Sequence, residues 1–328
     1  MPPRSAPATI NSRCALCNGP PVALLQAIRP ARAIDFTCMA KALDDLVALL
    51  RLERLEENLF RGDSQDPGWG TVFGGQALGQ ALAAAIETVV PERQVHSLNA
   101  YFLRPGDVAR PIVYAVDRIR DGRSFTTRRV VANQGGEAIF AMSCSFQTDD
   151  AGFEHHAAMP AAPAPETLPT ELQRLAPLLA GAPDAIRAKL VADRPFDIRT
   201  ADPIDADPFA PAPREPRRLM WIRAADALPD DRRLHACLLA YVSDYHFMTT
   251  ALAPHGVSWV SPAVQLASID HVMWFHRPFR CDDWLLHAME SPTAQSARGL
   301  VRGVVYTRDG RLVASTAQEG LMRPRPIP

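Results

Sequence analysis

Two stretches lying far apart in this chain are built alike. Residues 124–147, SFTTRRVVANQGGEAIFAMSCSFQ, read as a strand, a glycine-containing turn and a second strand ending at Gln147. Residues 299–323, GLVRGVVYTRDGRLVASTAQEGLMR, repeat that order and run through Gln318. The likeness extends upstream of each hairpin. FGGQALGQALAAAIETVV (73–90) and LHACLLAYVSDYHFMTTALA (234–253) read as helices, being rich in alanine and leucine. Each helix is followed by a strand that stops at an Arg-Pro pair, VHSLNAYFLRPGD (95–107) and LASIDHVMWFHRPF (266–279). A third strand follows in each, PIVYAVDRIR (111–120) and WLLHAMES (284–291). Pro105 to Gln147 spans 42 residues and Pro278 to Gln318 spans 40. The pattern predicts a duplicated α+β unit, one long helix against several antiparallel strands. Two such units side by side can join their open sheet edges.

A proline-rich segment separates the halves. Residues 151–218 hold twelve of the thirty prolines, and proline fixes φ and removes a donor, so this stretch reads mostly as a linker. A short helix near 171–181 and a strand at 195–201 are expected to interrupt it. RRLMWIRAA (217–225) opens the second unit, as NLFRGDS (58–64) opens the first. Residues 1–38 carry six prolines and scattered arginines, with no acid before Asp35. A disordered tail, a targeting segment and sequence upstream of a start at Met39 are all open readings, and the expectation is a disordered extension outside the fold. The resulting organisation is an extension at 1–38, a first unit at 39–150, a linker at 151–216 and a second unit at 217–328.

Composition excludes several classes. Of the 328 residues 47% are hydrophobic and 22% charged, and the net charge is −1, so no basic field draws nucleic acid or an anionic membrane. No run reaches the roughly 18 apolar residues of a membrane span. Cys14 and Cys17 form a lone C-x-x-C with no second pair, read as incidental, and the other four cysteines lack framework spacing, as expected in a reducing compartment. No G-x-S-x-G elbow is present, which argues against a serine-triad hydrolase. His271 and His276 have no companion at metal-ligand spacing and read as structural. No cofactor and no metal is expected.

The chain resembles the acyl-CoA thioesterase II family of double-hotdog enzymes. The resemblance rests on LFRG (59–62), VFGGQALGQAL (72–82), YFLRPGD (101–107), DGRSFTTRRV (121–130), GFEH (152–155), WIRA (221–224), SDYHF (243–247), SIDHVMWFHRPF (268–279), SARGLVRG (296–303) and ASTAQEGLMR (314–323), covering about Met39 to Arg323. It implies two tandem hotdog units, each a long helix wrapped by an antiparallel sheet, and hydrolysis of acyl-CoA to free acid and CoA. It also implies a catalytic set of Asp244, Ser268 and Gln318 holding an attacking water, with serine at 268 where many relatives carry threonine. All three lie in the second half, so the active site is expected there.

Backbone N–H groups at a helix start such as FGGQ (73–76) would suit the oxyanion. A medium or long acyl chain would gain roughly 0.8 kcal/mol per buried methylene. Arg104, Arg277, Arg298 and Arg302 are candidates for the CoA phosphates, although strand-end arginines are commonly just solvated. A hotdog enoyl-CoA hydratase or dehydratase, and an acyl-CoA-binding protein without turnover, are the alternative readings. A homodimer or homotetramer is implied by the resemblance. The C-terminal MRPRPIP lacks a Ser-Lys-Leu address and there is no secretory signal, so a cytoplasmic enzyme is expected.

Overall fold

A computed structural model describes residues 36–325 apart from 69, 182–186, 188–193 and 202–210. The leader up to residue 35, with the Cys14–Cys17 pair, lies outside the described residues. The first half contains α1 (Phe36–Leu49), β1 (Glu53–Glu56), β2 (Leu59–Gly62), α2 (Gly74–Ile86), β3 (Gln94–Phe102), β4 (Ile112–Asp121), β5 (Phe125–Gln134) and β6 (Glu137–Gln147). A 3-10 turn at Pro165–Thr167 and the short α3 (Glu171–Leu175), prolonged as a 3-10 turn to Gly181, come next, followed by β7 (Phe196–Thr200). The second half contains β8 (Arg217–Ala224), α4 (Arg232–Ser243), α5 (Phe247–Leu252), β9 (Val264–Ser268), β10 (Asp270–Phe275), β11 (Leu285–Gln295), β12 (Arg298–Thr307) and β13 (Leu312–Pro324).

The strands form one antiparallel sheet in the order β1-β2-β4-β5-β6-β3-β10-β13-β12-β11-β8-β7, with β9 paired to β13. The order reads identically outward from the middle: β3, β6, β5, β4, β2 on one side and β10, β13, β12, β11, β8 on the other. The seam is the β3–β10 pair, where Asp270 faces Tyr101 and Trp274 faces Ser97. Each half therefore covers the open edge of the other, the economy that a duplicated unit permits. The architecture is the expected double hotdog.

Both long helices pack with the sheet into one hydrophobic core. α2 is buried on nearly every side, which its alanine-rich, almost charge-free sequence allows. Gly75 and Gly79, four residues apart, line the side of α2 that meets α4. A side chain at 75 would put its Cβ 2.1 Å from the Tyr241 carbonyl oxygen, and one at 79 would lie 3.2 Å from that of Cys237. The two helices thus run antiparallel, almost backbone to backbone. The buried Gln76 and Gln80 are fully partnered: Gln76 donates to the Asp63 carbonyl at 2.9 Å, and Gln80 donates to that of Leu49 at 2.8 Å while accepting from the Tyr114 hydroxyl at 2.7 Å.

Three local departures from the sequence reading concern the second half and the linker. The helix expected over 234–253 is broken into α4 and α5. Ser243 bonds back to the Ala240 carbonyl at 2.9 Å, and His246 takes the left-handed region with φ 65°, which stops the helix. The strand expected from 266 is likewise split at Ile269, so that β9 lies along β13 while β10 lies between β3 and β13. Part of the proline-rich segment is pinned rather than free: Met159, Ala162 and Leu168 pack on a second apolar cluster around Trp221, Trp284 and Tyr306. There the Trp221 indole donates to the Pro163 carbonyl at 2.9 Å.

Candidate active site

Both breaks in the second half fall where polar groups gather. Asp244 caps the C-terminal end of α4, Ser268 ends β9, and Gln318 lies within β13 with its side chain turned inward. The Gln318 amide donates from Nε2 to Ser268 Oγ at 2.8 Å, and the Ser268 hydroxyl lies 3.4 Å from Asp244 Oδ1. The three residues predicted from sequence meet in one place. Asp244 is at a helix terminus rather than within a helix, which leaves its carboxyl clear of the α4 barrel.

A fourth contribution comes from the other half. The Gly75 N–H, in the first turn of α2, faces the Asp244 carboxyl and favours its charged form. Gly74 comes equally near: a Cβ there would sit 2.6 Å from Asp244 Oδ2 and 2.8 Å from the Phe102 ring. The FGGQ turn therefore has a physical reason for both glycines, one admitting the carboxylate and the other the α4 backbone. Phe73, Tyr241 and Tyr245 form an aromatic cluster beside it, with ring centroids 5.2 Å apart for Phe73–Tyr241 and 5.1 Å for Phe73–Tyr245.

These surroundings set the charge of the carboxyl. Burial raises the Asp244 pKa from 3.8 to about 7, opposed by the hydrogen bonds from Gln318, Ser268 and Gly75, which favour the anion. A carboxyl poised there can accept a proton near neutrality. Behind Gln318 sits His271, wholly buried, its Nδ1 2.6 Å from Gln318 Oε1 and its Nε2 2.9 Å from Ser243 Oγ. Burial lowers its pKa to about 4, so the ring is neutral. Sequence alone reads His271 as structural, and nothing in it links His271 to Gln318; the link comes from their pairing across β10 and β13.

The first half lacks this set. The β10–β13 register, Val272 opposite Ala317, brings His271 opposite Gln318 one step further on. In the first half the position six residues before the Arg-Pro stop is Leu98, and it pairs with Cys144. Leu98 and Cys144 thus stand where His271 and Gln318 stand. Gln147, whose recurrence helped expose the repeat, is not the counterpart of Gln318. It shares its side of β6 with Ser143 and Ser145, away from the buried Cys144 and Phe146. The residue capping α2 is Glu87, which is exposed and bonded to Arg54.

Comparison with known proteins now decides the family. Residues 193–321 match the family described as acyl-CoA thioesterase, and residues 64–147 match the acyl-CoA thioesterase N-terminal domain. Acyl-CoA thioesterase 2 of Haemophilus influenzae is 42% identical over 288 residues, covering 87% of this chain and 99% of the relative. The chain belongs to the acyl-CoA thioesterase family. Acyl-coenzyme A thioesterase 8 of Homo sapiens is 40% identical over 290 residues, 86% of this chain and 89% of the relative. The crystal structure of an acyl-CoA thioesterase II from Mycobacterium marinum superposes with a TM-score of 0.70 at 41% identity, covering 86% of this chain and 99% of that one.

Within this thioesterase-family chain, the four arginines considered for CoA phosphates are already engaged. Arg104 contacts Glu137 and the Ala138 carbonyl, Arg277 the Leu312 carbonyl, Arg298 Glu319, and Arg302 Glu290. Among the described residues no group of three or more His, Cys, Asp or Glu side chains could hold a metal ion. No described helix is long and apolar enough to cross a membrane.

Proposed function

We propose that the protein hydrolyses medium- to long-chain acyl-CoA to free fatty acid and CoA, using a water held by Asp244, Ser268 and Gln318 in the second repeat, residues 217–328. The observation that carries this reading is the convergence of those three side chains around a carboxyl held near neutral pKa. Asp244 takes a proton from the water as its oxygen bonds to the thioester carbon. Gln318 and Ser268 fix the water's position, which offsets the entropy of bringing it to the carbonyl. The start of α2, whose Gly75 N–H already reaches the carboxylate, supplies partial positive charge beside the developing oxyanion. The tetrahedral intermediate then collapses, the carbon–sulfur bond breaks, and the thiolate recovers the proton from Asp244.

The hydratase alternative requires an acid/base pair facing the acyl chain. The one histidine at this site has both ring nitrogens bonded to protein groups behind Gln318, which favours the hydrolase. The reading further includes a cytoplasmic homodimer or homotetramer with neither nucleic acid nor membrane as partner. Unpaired buried thiols at Cys144, Cys237 and Cys281 accord with a reducing compartment. The test is to supply saturated and enoyl acyl-CoA of graded chain length and follow thiol release and loss of the enoyl chromophore together. Thiol release from saturated substrates is expected, with Asp244→Ala and Gln318→Ala each lowering kcat by roughly 100-fold or more while the fold persists. Wild-type turnover in either variant would overturn the site, chromophore loss alone would point to a hydratase, and tight binding without either signal to a carrier.

A further inference from the structure

Glutamine has two ends of nearly the same shape and opposite hydrogen-bonding sense. The proposed water cradle, on which this inference rests, works only if the NH2 end of Gln318 faces Ser268 and Asp244. With the amide turned over, its carbonyl oxygen would point toward a carboxylate. Something must hold the correct orientation.

We infer that His271 is the positioning residue that fixes the Gln318 amide, by donating from Nδ1 to Gln318 Oε1. The Nδ1–Oε1 distance is 2.6 Å and the Nε2–Ser243 Oγ distance 2.9 Å. A neutral imidazole carries a single N–H. Because Oε1 only accepts, that hydrogen is on Nδ1, and Nε2 is left as an acceptor facing the Ser243 hydroxyl, whose single hydrogen it shares with the Ala240 carbonyl, also at 2.9 Å. The direction of every later bond follows: Gln318 Nε2 donates to Ser268 Oγ at 2.8 Å, and the Ser268 hydroxyl points to Asp244 Oδ1 at 3.4 Å. The contacts run from Ser243 through His271, Gln318 and Ser268 to Asp244, the residue next to Ser243 in sequence at the end of α4. His271, Ser243 and Gln318 are almost wholly buried, so with Nδ1 protonated a reversed amide would set its NH2 against the Nδ1–H with no water to relieve the clash.

None of the other groups around these residues contacts the Gln318 carbonyl oxygen in the place of His271. His271 also meets the Phe247 ring from α5, at 5.4 Å between centroids, and the same ring lies 5.6 Å from His287 of β11. The Ser243 hydroxyl lies 3.3 Å from the Met273 sulfur. Asp244 is met by Gly75 from α2, Ser268 from β9 and Gln318 from β13, and its charge is felt by Tyr241 and Tyr245. The Leu98–Cys144 pair in the first half shows that the fold itself does not need a polar pair at this place.

The experiment compares His271→Leu, His271→Asn, Ser243→Ala, Gln318→Ala and the double variant His271→Leu/Gln318→Ala, in full-length protein with a saturated acyl-CoA, across pH. His271→Leu is expected to lower kcat roughly 10- to 100-fold, the scale of residues that orient a functional group from behind, with KM changed less than about 3-fold. Its acidic limb of kcat/KM should move to higher pH, since the carboxylate loses a correctly aimed donor. Asparagine can present an N–H where Nδ1 stood, so His271→Asn should recover most of kcat and return the limb. The double variant should be no slower than Gln318→Ala. Should His271→Leu fail to fold, Ser243→Ala must show the same limb shift at a smaller loss. Wild-type kcat and limb in His271→Leu, or equal losses in the Leu and Asn variants with an additive double variant, would overturn the role. Wild-type turnover in Gln318→Ala would instead overturn the water cradle itself.

Discussion

At the scale of single residues the protonation of Asp244 dominates. In the proposed mechanism its carboxyl must be ionised to accept a proton, and burial holds its pKa near 7. Activity measured as kcat/KM is therefore expected to fall tenfold per pH unit below about 7, and Asp244→Asn should abolish that limb along with most turnover. Stability should move the opposite way. The unfolded chain releases this proton near 3.8 and the native state keeps it until about 7, so native protein binds more protons in between. Unfolding free energy must then drop as pH rises through that window. The limit is on the order of 4 kcal/mol, at roughly 1.4 kcal/mol per pH unit, before solvent at the accessible edge reduces it. Tm of Asp244→Asn should depend less on pH between 4 and 8 than that of the wild type. Asp244, Ser268 and Gln318 were legible because each lies in a long motif. His271 and Ser243 were not, because a buried histidine among apolar neighbours looks the same in sequence whether it fills space or aims an amide.

At the scale of elements the informative feature is the α2–α4 contact. Gly75 and Gly79 both face α4 but with different clearances. Adding a methyl at 75 meets the rigid Tyr241 carbonyl at 2.1 Å, whereas at 79 the nearest atoms are a movable Leu50 methyl at 2.9 Å and the Cys237 carbonyl at 3.2 Å. Gly75→Ala is expected to cost about 3 kcal/mol or more, from forced separation of two packed elements. Gly79→Ala should cost about 1 kcal/mol or less after the gain in helix propensity; denaturant midpoints of the two variants measure the difference. The helices themselves were legible from alanine and leucine content. Their breaks were not: apolar residues continue past Asp244, and the break comes from the back-bonded Ser243 together with the left-handed His246, held by Arg218 at 2.9 Å and facing Glu171 at 3.4 Å. The split at Ile269 is likewise dictated by pairing, because two different strands compete for that stretch.

At the scale of the whole molecule, one sheet and one core run through both repeats. Heat unfolding of the full chain is therefore expected as a single transition, with calorimetric and van't Hoff enthalpies in agreement; two separated transitions would mean that the β3–β10 seam contributes little. The duplication was visible in sequence because order, spacing and the Arg-Pro stops repeat. The matching of Gln147 with Gln318 was misleading because spacing along a chain does not reveal which side of a strand a residue occupies. Only the register shows Cys144 to be the true counterpart.

The carboxylate near one repeat's helix end rests against Gly74 and Gly75 of the other. Every acid, hydroxyl and amide in the cradle is encoded after residue 217, yet the lining that admits them is encoded more than a hundred codons earlier. A saturation screen for lost turnover should thus score substitutions at 74 and 75 nearly as harshly as those at 244, although neither glycine has a side chain to take part in any reaction. In such a map the repeat outside the proposed cradle would carry its own band of intolerance, and a fragment carrying only the repeat that holds the proposed cradle would be a poor catalyst.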